Sequence, residues 1–155
     1  MSRKRENVRQ CKVIRQLIDD NKYTKALELI DAIPLEEVGS LDDLYRYAEL
    51  YEKAERMVKK KEIFYHIYHR THSRYMLNRL LRLTIRMGDM EEARELYFAY
   101  EVAGPITLDT FELRYLLAKA EGEPPERLIQ ILEELKKEEY TEEWGFRLAC
   151  LYEKT

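Results

Sequence analysis

At 155 residues, 45% of them hydrophobic and 37% charged, the chain is long enough to bury a core without disulfide or metal staples. Only five Gly and four Pro are available for turns, which favours long helices, and no stretch approaches the roughly 18 consecutive apolar residues of a membrane span. The net charge of −3 conceals strong blocks: residues 1–25 carry eight basic and three acidic groups, 26–52 one and eight, 53–86 ten and two, and 87–155 eight and seventeen.

The N-terminus, from Met1 to Asn7, is charged and leads into no apolar run, so it does not read as a secretory signal. Apolar residues then recur at i, i+3, i+4 and i+7 through nearly every segment, with no sustained alternation, which predicts an all-α protein. Helices are expected at about 4–20, 24–33, 41–54, 57–70, 74–87, 90–103, 109–121, 125–138 and 142–154, with Ser40, Ser73, Asp109 and Thr141 as N-caps. Cys11 and Cys150 fall inside the first and last of these as buried free thiols, which suits a reducing, cytoplasmic setting. Tyr45, Tyr47, Tyr51, Phe64, Tyr68, Tyr97, Phe98 and Tyr100 stand at helical spacing and read mainly as core.

The punctuation between the helices repeats. Leu80, Leu81, Thr84 and Met87 form one helical face; Gly88-Asp89 breaks it; Met90, Ala93, Leu96 and Tyr97 resume it; Gly104-Pro105 ends it. Gly88 can adopt the left-handed conformation that closes a helix, and Asp89 can cap the next, so the unit reads as an antiparallel helix hairpin. Gly122 lies 34 residues beyond Gly88, with Pro124-Pro125 opening a further helix, while Asn21 to Ala26 overlays Gly88 to Ala93 and Glu55 falls midway. Leu50-Tyr51-Glu52-Lys53 also returns as Leu151-Tyr152-Glu153-Lys154. Turns are therefore predicted at 21, 55, 88 and 122. At Glu55-Arg56 there is no glycine, so residues 41–70 can alternatively form one long or kinked helix.

Gly88, Met90, Ala93, Tyr97 and Pro105 resemble the turn glycine, large apolar residue, small alanine, aromatic and closing proline of the tetratricopeptide repeat (TPR) family. The alanine is kept as Ala26 but replaced by Lys60 and Arg127. The resemblance implies one domain over residues 1–155: a right-handed α-α superhelix, or solenoid, of about four TPR-like hairpins plus one extra helix. The next turn would fall at position 156, so the chain reads as a fragment of a longer array. The last helix, with Trp144, Leu148, Ala149 and Tyr152 available for packing, is then expected either to fray or to be buried against a second copy in a homodimer.

No phosphate loop, nucleophile elbow, His-Glu-x-x-His or Cys-x-x-Cys occurs, and the paired glutamates sit on polar faces; neither an enzyme nor a cofactor is predicted. His66, His69 and His72 are spaced by three, and a three-ligand site would require the helix to end between them, as Thr71-His72-Ser73 allows; the nearest acidic residue in sequence is Glu62, and no metal is predicted. Lys59-Lys60-Lys61, Arg70 and Arg74 flank Phe64, Tyr65 and Tyr68 within the basic block 53–86 and offer a nucleic-acid surface as the alternative function, disfavoured by the acidic whole.

The leading candidate lies on helix 74–87, where Tyr75, Arg79, Arg82 and Arg86 project within roughly 60° of one another with Asn78 alongside, while apolar residues fill most of the remaining circumference. In the TPR-like alignment Tyr75, Asn78, Arg82 and Arg86 match first-helix positions lining the family's concave groove. That implies a non-catalytic scaffold binding an acidic peptide or a C-terminal carboxylate. Asp42, Tyr45 and Glu49 fall at the equivalent positions of one neighbouring repeat and Asp109 and Glu112 at those of the other, and such carboxylates can instead neutralise the stripe internally.

Overall fold

In a computed structural model, which describes residues 3–138 and 149–153, the chain is helical with no strand among the described residues. The helices are α1 (Arg3–Asp19), α2 (Tyr23–Ala32), α3 (Leu41–Lys53), α4 (Met57–Thr71), α5 (Arg74–Met87), α6 (Met90–Val102), α7 (Leu108–Ala120) and α8 (Pro125–Glu138), with a single 3-10 turn at Leu35–Glu37. Residues 149–153 are also helical. Helix 142–154, its cap Thr141 and Trp144 otherwise lie outside the described residues.

All four turns fall where the periodicity puts them. Asn21, Glu55, Gly88 and Gly122 have φ of 60°, 59°, 83° and 77°, in the left-handed region. At each, the residue after it donates its N–H back to the carbonyl five positions earlier: Lys22 to Leu17 at 2.8 Å, Arg56 to Tyr51 at 2.8 Å, Asp89 to Thr84 at 3.3 Å and Glu123 to Ala118 at 3.0 Å. The left-handed residue itself bonds three back, to Ile18, Glu52, Ile85 and Lys119. This double bond is the Schellman motif, which satisfies carbonyls that a helix end would otherwise leave without donors. Glu55 completes it without glycine, so the stretch 41–70 is two helices, α3 and α4, not one long one.

The chain divides into two compact units, residues 1–72 and 73–155. In the first, α1 packs on α2 and α3 on α4, and α2 also meets α3. Ile14, Ile30, Leu44, Tyr47, Ile63, Phe64 and Ile67 are buried there. Polar links tie the same elements: Arg15 donates two bonds of 2.7 Å to the buried Asp43, Asn7 donates to Glu37, and Arg70 reaches the carbonyls of Val38 and Leu35 at 2.5 and 2.9 Å.

In the second unit α5 packs on α6, α7 on α8, and α7 also on α5 and α6. Met76, Leu77, Leu80, Leu81 and Leu113 are buried, and a cluster around Phe111, Ile131, Leu132 and Leu135 takes in Leu151. The repeated tetrapeptide makes the same contact in each unit: Tyr51 donates to Asp31 at 2.5 Å, and Tyr152 donates to Glu133.

Three local expectations are corrected. Helix α7 starts before Asp109, and Thr107 is its N-cap; the Thr107 N–H donates to Oγ1 of buried Thr110 at 3.1 Å. Asp109 therefore sits in the first turn, where its charge still suits the positive end of the helix. Phe98 is not core but 68% exposed, because Ala93, Leu96 and Tyr100 already form the buried face of α6 and Phe98 points away from it. Cys150 is half-buried, whereas Cys11 is buried; both thiols are free.

Candidate partner-binding site

Helix α5 is held at both ends by its own sequence. Ser73 accepts the N–H of Met76 at 3.4 Å, and Gly88 closes the last turn. Between them Met76, Leu77, Leu80, Leu81, Leu83 and Thr84 are buried, and the Thr84 hydroxyl donates to the Leu80 carbonyl at 2.7 Å. Tyr75, Asn78, Arg79, Arg82 and Arg86 remain as a row that is exposed or half-buried throughout.

Within that row neighbouring side chains touch. Tyr75 is 64% exposed, and the Arg79 guanidinium lies 5.8 Å from its ring centre, a cation–π distance. Arg82 is fixed from two sides: Nε donates to Asn78 Oδ1 at 2.6 Å and Nη1 to Glu112 Oε1 on α7 at 3.1 Å. The Arg82 side chain is 35% exposed and that of Glu112 29%. At Arg82 the internal carboxylate partner anticipated from the sequence is therefore present. Asp109, by contrast, is exposed. No protein-family model, curated protein or solved structure matches the chain. The site must be judged on its own geometry.

Asp42, Tyr45 and Glu49 lie on α3, in the first unit; Asp42 and Glu49 are exposed and Tyr45 is half-buried. The five α5 residues belong to the second unit.

The basic block is largely engaged within its own units. Lys60 pairs with Glu52 and lies over Phe64, Lys59 reaches Glu62 at 3.7 Å, and Arg56 forks onto Asp31 at 2.9 and 3.2 Å. Arg70 binds backbone carbonyls, as above. Arg74 donates to the Tyr100 carbonyl at 3.0 Å and stacks 4.1 Å from the Tyr100 ring centre, with Nη2 buried and without a hydrogen-bond partner. His69 stacks on Tyr65 and leans on Tyr68, and His72 meets Tyr68 edge-on. Among the described residues no group of three His, Cys, Asp or Glu could hold a metal ion, and no helix is long and apolar enough to cross a membrane.

Two features escape a reading by periodicity. A groove of about 340 Å³ is lined by Tyr97, Glu101, Arg114 and Arg127 over Leu117 and Ile131. At its floor Arg114 donates to the Tyr97 hydroxyl at 2.5 Å, with Glu101 and Glu134 at 3.8 and 3.9 Å. Burial pushes the Tyr97 phenol up to about 12, with Arg114 pulling the other way. In the first unit, a cavity of about 50 Å³ adjoins Asp31, Tyr51 and Lys59. The Arg56 guanidinium holds the Asp31 carboxyl below its ordinary value, assisted by the Tyr51 hydroxyl. Both networks join side chains of different helices, whose pairing the spacing within any one helix does not reveal.

Proposed function

We propose that the chain is a non-catalytic binding module of TPR-like helix pairs, and that the α5 row of Tyr75, Asn78, Arg79, Arg82 and Arg86 takes an acidic peptide or a chain's C-terminal carboxylate. The observation that carries this is the fixing of Arg82. A guanidinium held by Asn78 and Glu112 at the surface has already lost most of its rotamer freedom, so a ligand would not have to order it. Arg79 and Arg86 lie on the same face, and Tyr75 offers an exposed ring for the apolar part of a peptide. Phosphate binding through the basic block is the alternative; there Arg70 and Arg74 are turned to backbone carbonyls of their own units.

The test is fluorescence anisotropy with a labelled glutamate-rich peptide carrying a free C-terminus, compared between the native protein and the Arg82→Ala/Arg86→Ala double variant. Hydrogen bonds to charged groups contribute about 1.5–3 kcal/mol each, so affinity should fall by at least about tenfold while the helical circular dichroism is unchanged. Undiminished affinity would remove the site.

A further inference from the structure

A guanidinium offers a carboxylate two forks, Nε with one Nη and the two Nη together, and bidentate recognition requires both nitrogens of a fork. At Arg82 Nε gives its single N–H to Asn78, which closes the side fork, and Nη1 gives one of its two N–H groups to Glu112; Nη2 makes no hydrogen bond among the described residues. A ligand carboxylate can approach the end fork, where it meets the Glu112 carboxylate already on Nη1, or it can displace a resident. Asn78 is a neutral neighbour one turn away on the same helix. Glu112 is charged, sits on α7 and is itself about a third exposed.

Resting on the α5 reading above, we propose that Glu112 is a resident competitor that sets which acidic segments the site accepts. Exchange of the Glu112 carboxylate for an incoming one leaves the contact at Arg82 nearly unchanged in energy. It also strands Glu112 beside a like charge. A lone carboxylate therefore gains little, and a ligand is retained only by what it does beyond Arg82, on Arg79, Arg86 and the ring of Tyr75. Glu112 is in this sense a specificity-determining residue: neutralising it should strengthen binding and weaken discrimination together, since specificity rests on the cost charged to wrong ligands.

The Glu112→Gln substitution keeps the shape and an acceptor for Arg82 but removes the charge. With the labelled glutamate-rich peptide, Glu112→Gln should tighten binding by about tenfold, the scale of one like-charge contact at the surface. In an Arg82→Ala background the same change should alter affinity by no more than about twofold. Acetate at millimolar concentration should compete for Glu112→Gln and not for the native protein.

Binding lost in Arg82→Ala/Arg86→Ala but unchanged or weakened in Glu112→Gln would overturn the competitor role and leave the site standing, with Glu112 a positioning residue for Arg82. Binding by Glu112→Gln alone would support the proposal. Equal binding by the native protein, Glu112→Gln and the double variant, or none by any of them, would remove both the competitor and the site.

Discussion

Replacing Gly104 by alanine should change sign with its neighbour. A Cβ at this position would stand 2.8 Å from Arg74 Nη1, 3.1 Å from Cζ and 3.3 Å from Cδ, so the methyl group meets the guanidinium along most of its length. The backbone itself is not the obstacle, since Gly104 does not have a left-handed φ. There, Gly→Ala alone stabilises by roughly 0.4–1 kcal/mol through the unfolded chain.

Against that gain, Arg74 must leave the Tyr100 carbonyl and ring. A bond from a charged donor contributes about 1.5–3 kcal/mol and a cation–π contact about 1 kcal/mol. Part of this returns because the buried Nη2, which has no partner, regains water. The net cost of Gly104→Ala should be about 1–2 kcal/mol. In an Arg74→Ala background the same substitution should be neutral or stabilising. Urea and thermal melts of the two single variants and the double variant, followed by far-ultraviolet circular dichroism, measure this coupling directly. An equal loss in both backgrounds would refute the assignment of Gly104 as the space that Arg74 occupies.

Two further outcomes follow from the turns and the tyrosines. Glu55 takes the left-handed conformation with a Cβ, at φ 59°, so Glu55→Gly should raise stability by a few tenths to about 1 kcal/mol, whereas Gly88→Ala should lower it by about 1 kcal/mol; a fall in the melting temperature of Glu55→Gly would count against the turn geometry. Tyr47, Tyr51 and Tyr97 are each pushed up by burial, Tyr97 to about 12, so the folded protein holds phenolic protons that the unfolded chain releases near pH 10. Their stabilising contribution is whole below pH 10 and is lost as pH rises, for Tyr97 between about 10 and 12. Urea midpoints at pH 9 and 11.5 should show the decline, and Tyr97→Phe should make it shallower.

The helices were legible because period and punctuation agree: glycine or asparagine marks three of the four turns, and Ser40 and Ser73 cap as their positions suggest. Glu55 was the ambiguous turn because the Schellman bonds are made by backbone, and a side chain that tolerates the conformation leaves no compositional mark. Phe98 was misplaced for a related reason. Helical spacing identifies an apolar face only to within about one residue, and two adjacent aromatics, Tyr97 and Phe98, straddle its edge. The α5 row could be read directly from the sequence, since six buried neighbours leave little choice of exposed face. Arg74 could not. Its place under Gly104 depends on α6 returning past the start of α5, a long-range contact, so in sequence it looked like one more surface cation.

The four Schellman turns also fix where the chain can absorb an insertion. Within pairs the connections are short, residues 20–22, 54–56, 88–89 and 121–124, and each is bonded across to the preceding helix. One added residue there would rotate the following helix by about 100° and turn its buried stripe to water. The connections after a completed pair, residues 33–40 in the first unit and 103–107 in the second, differ in length by three while the turns around them keep their geometry. The phase of the helices thus resides in the hinge of each pair, and variation in length belongs to the loops that follow.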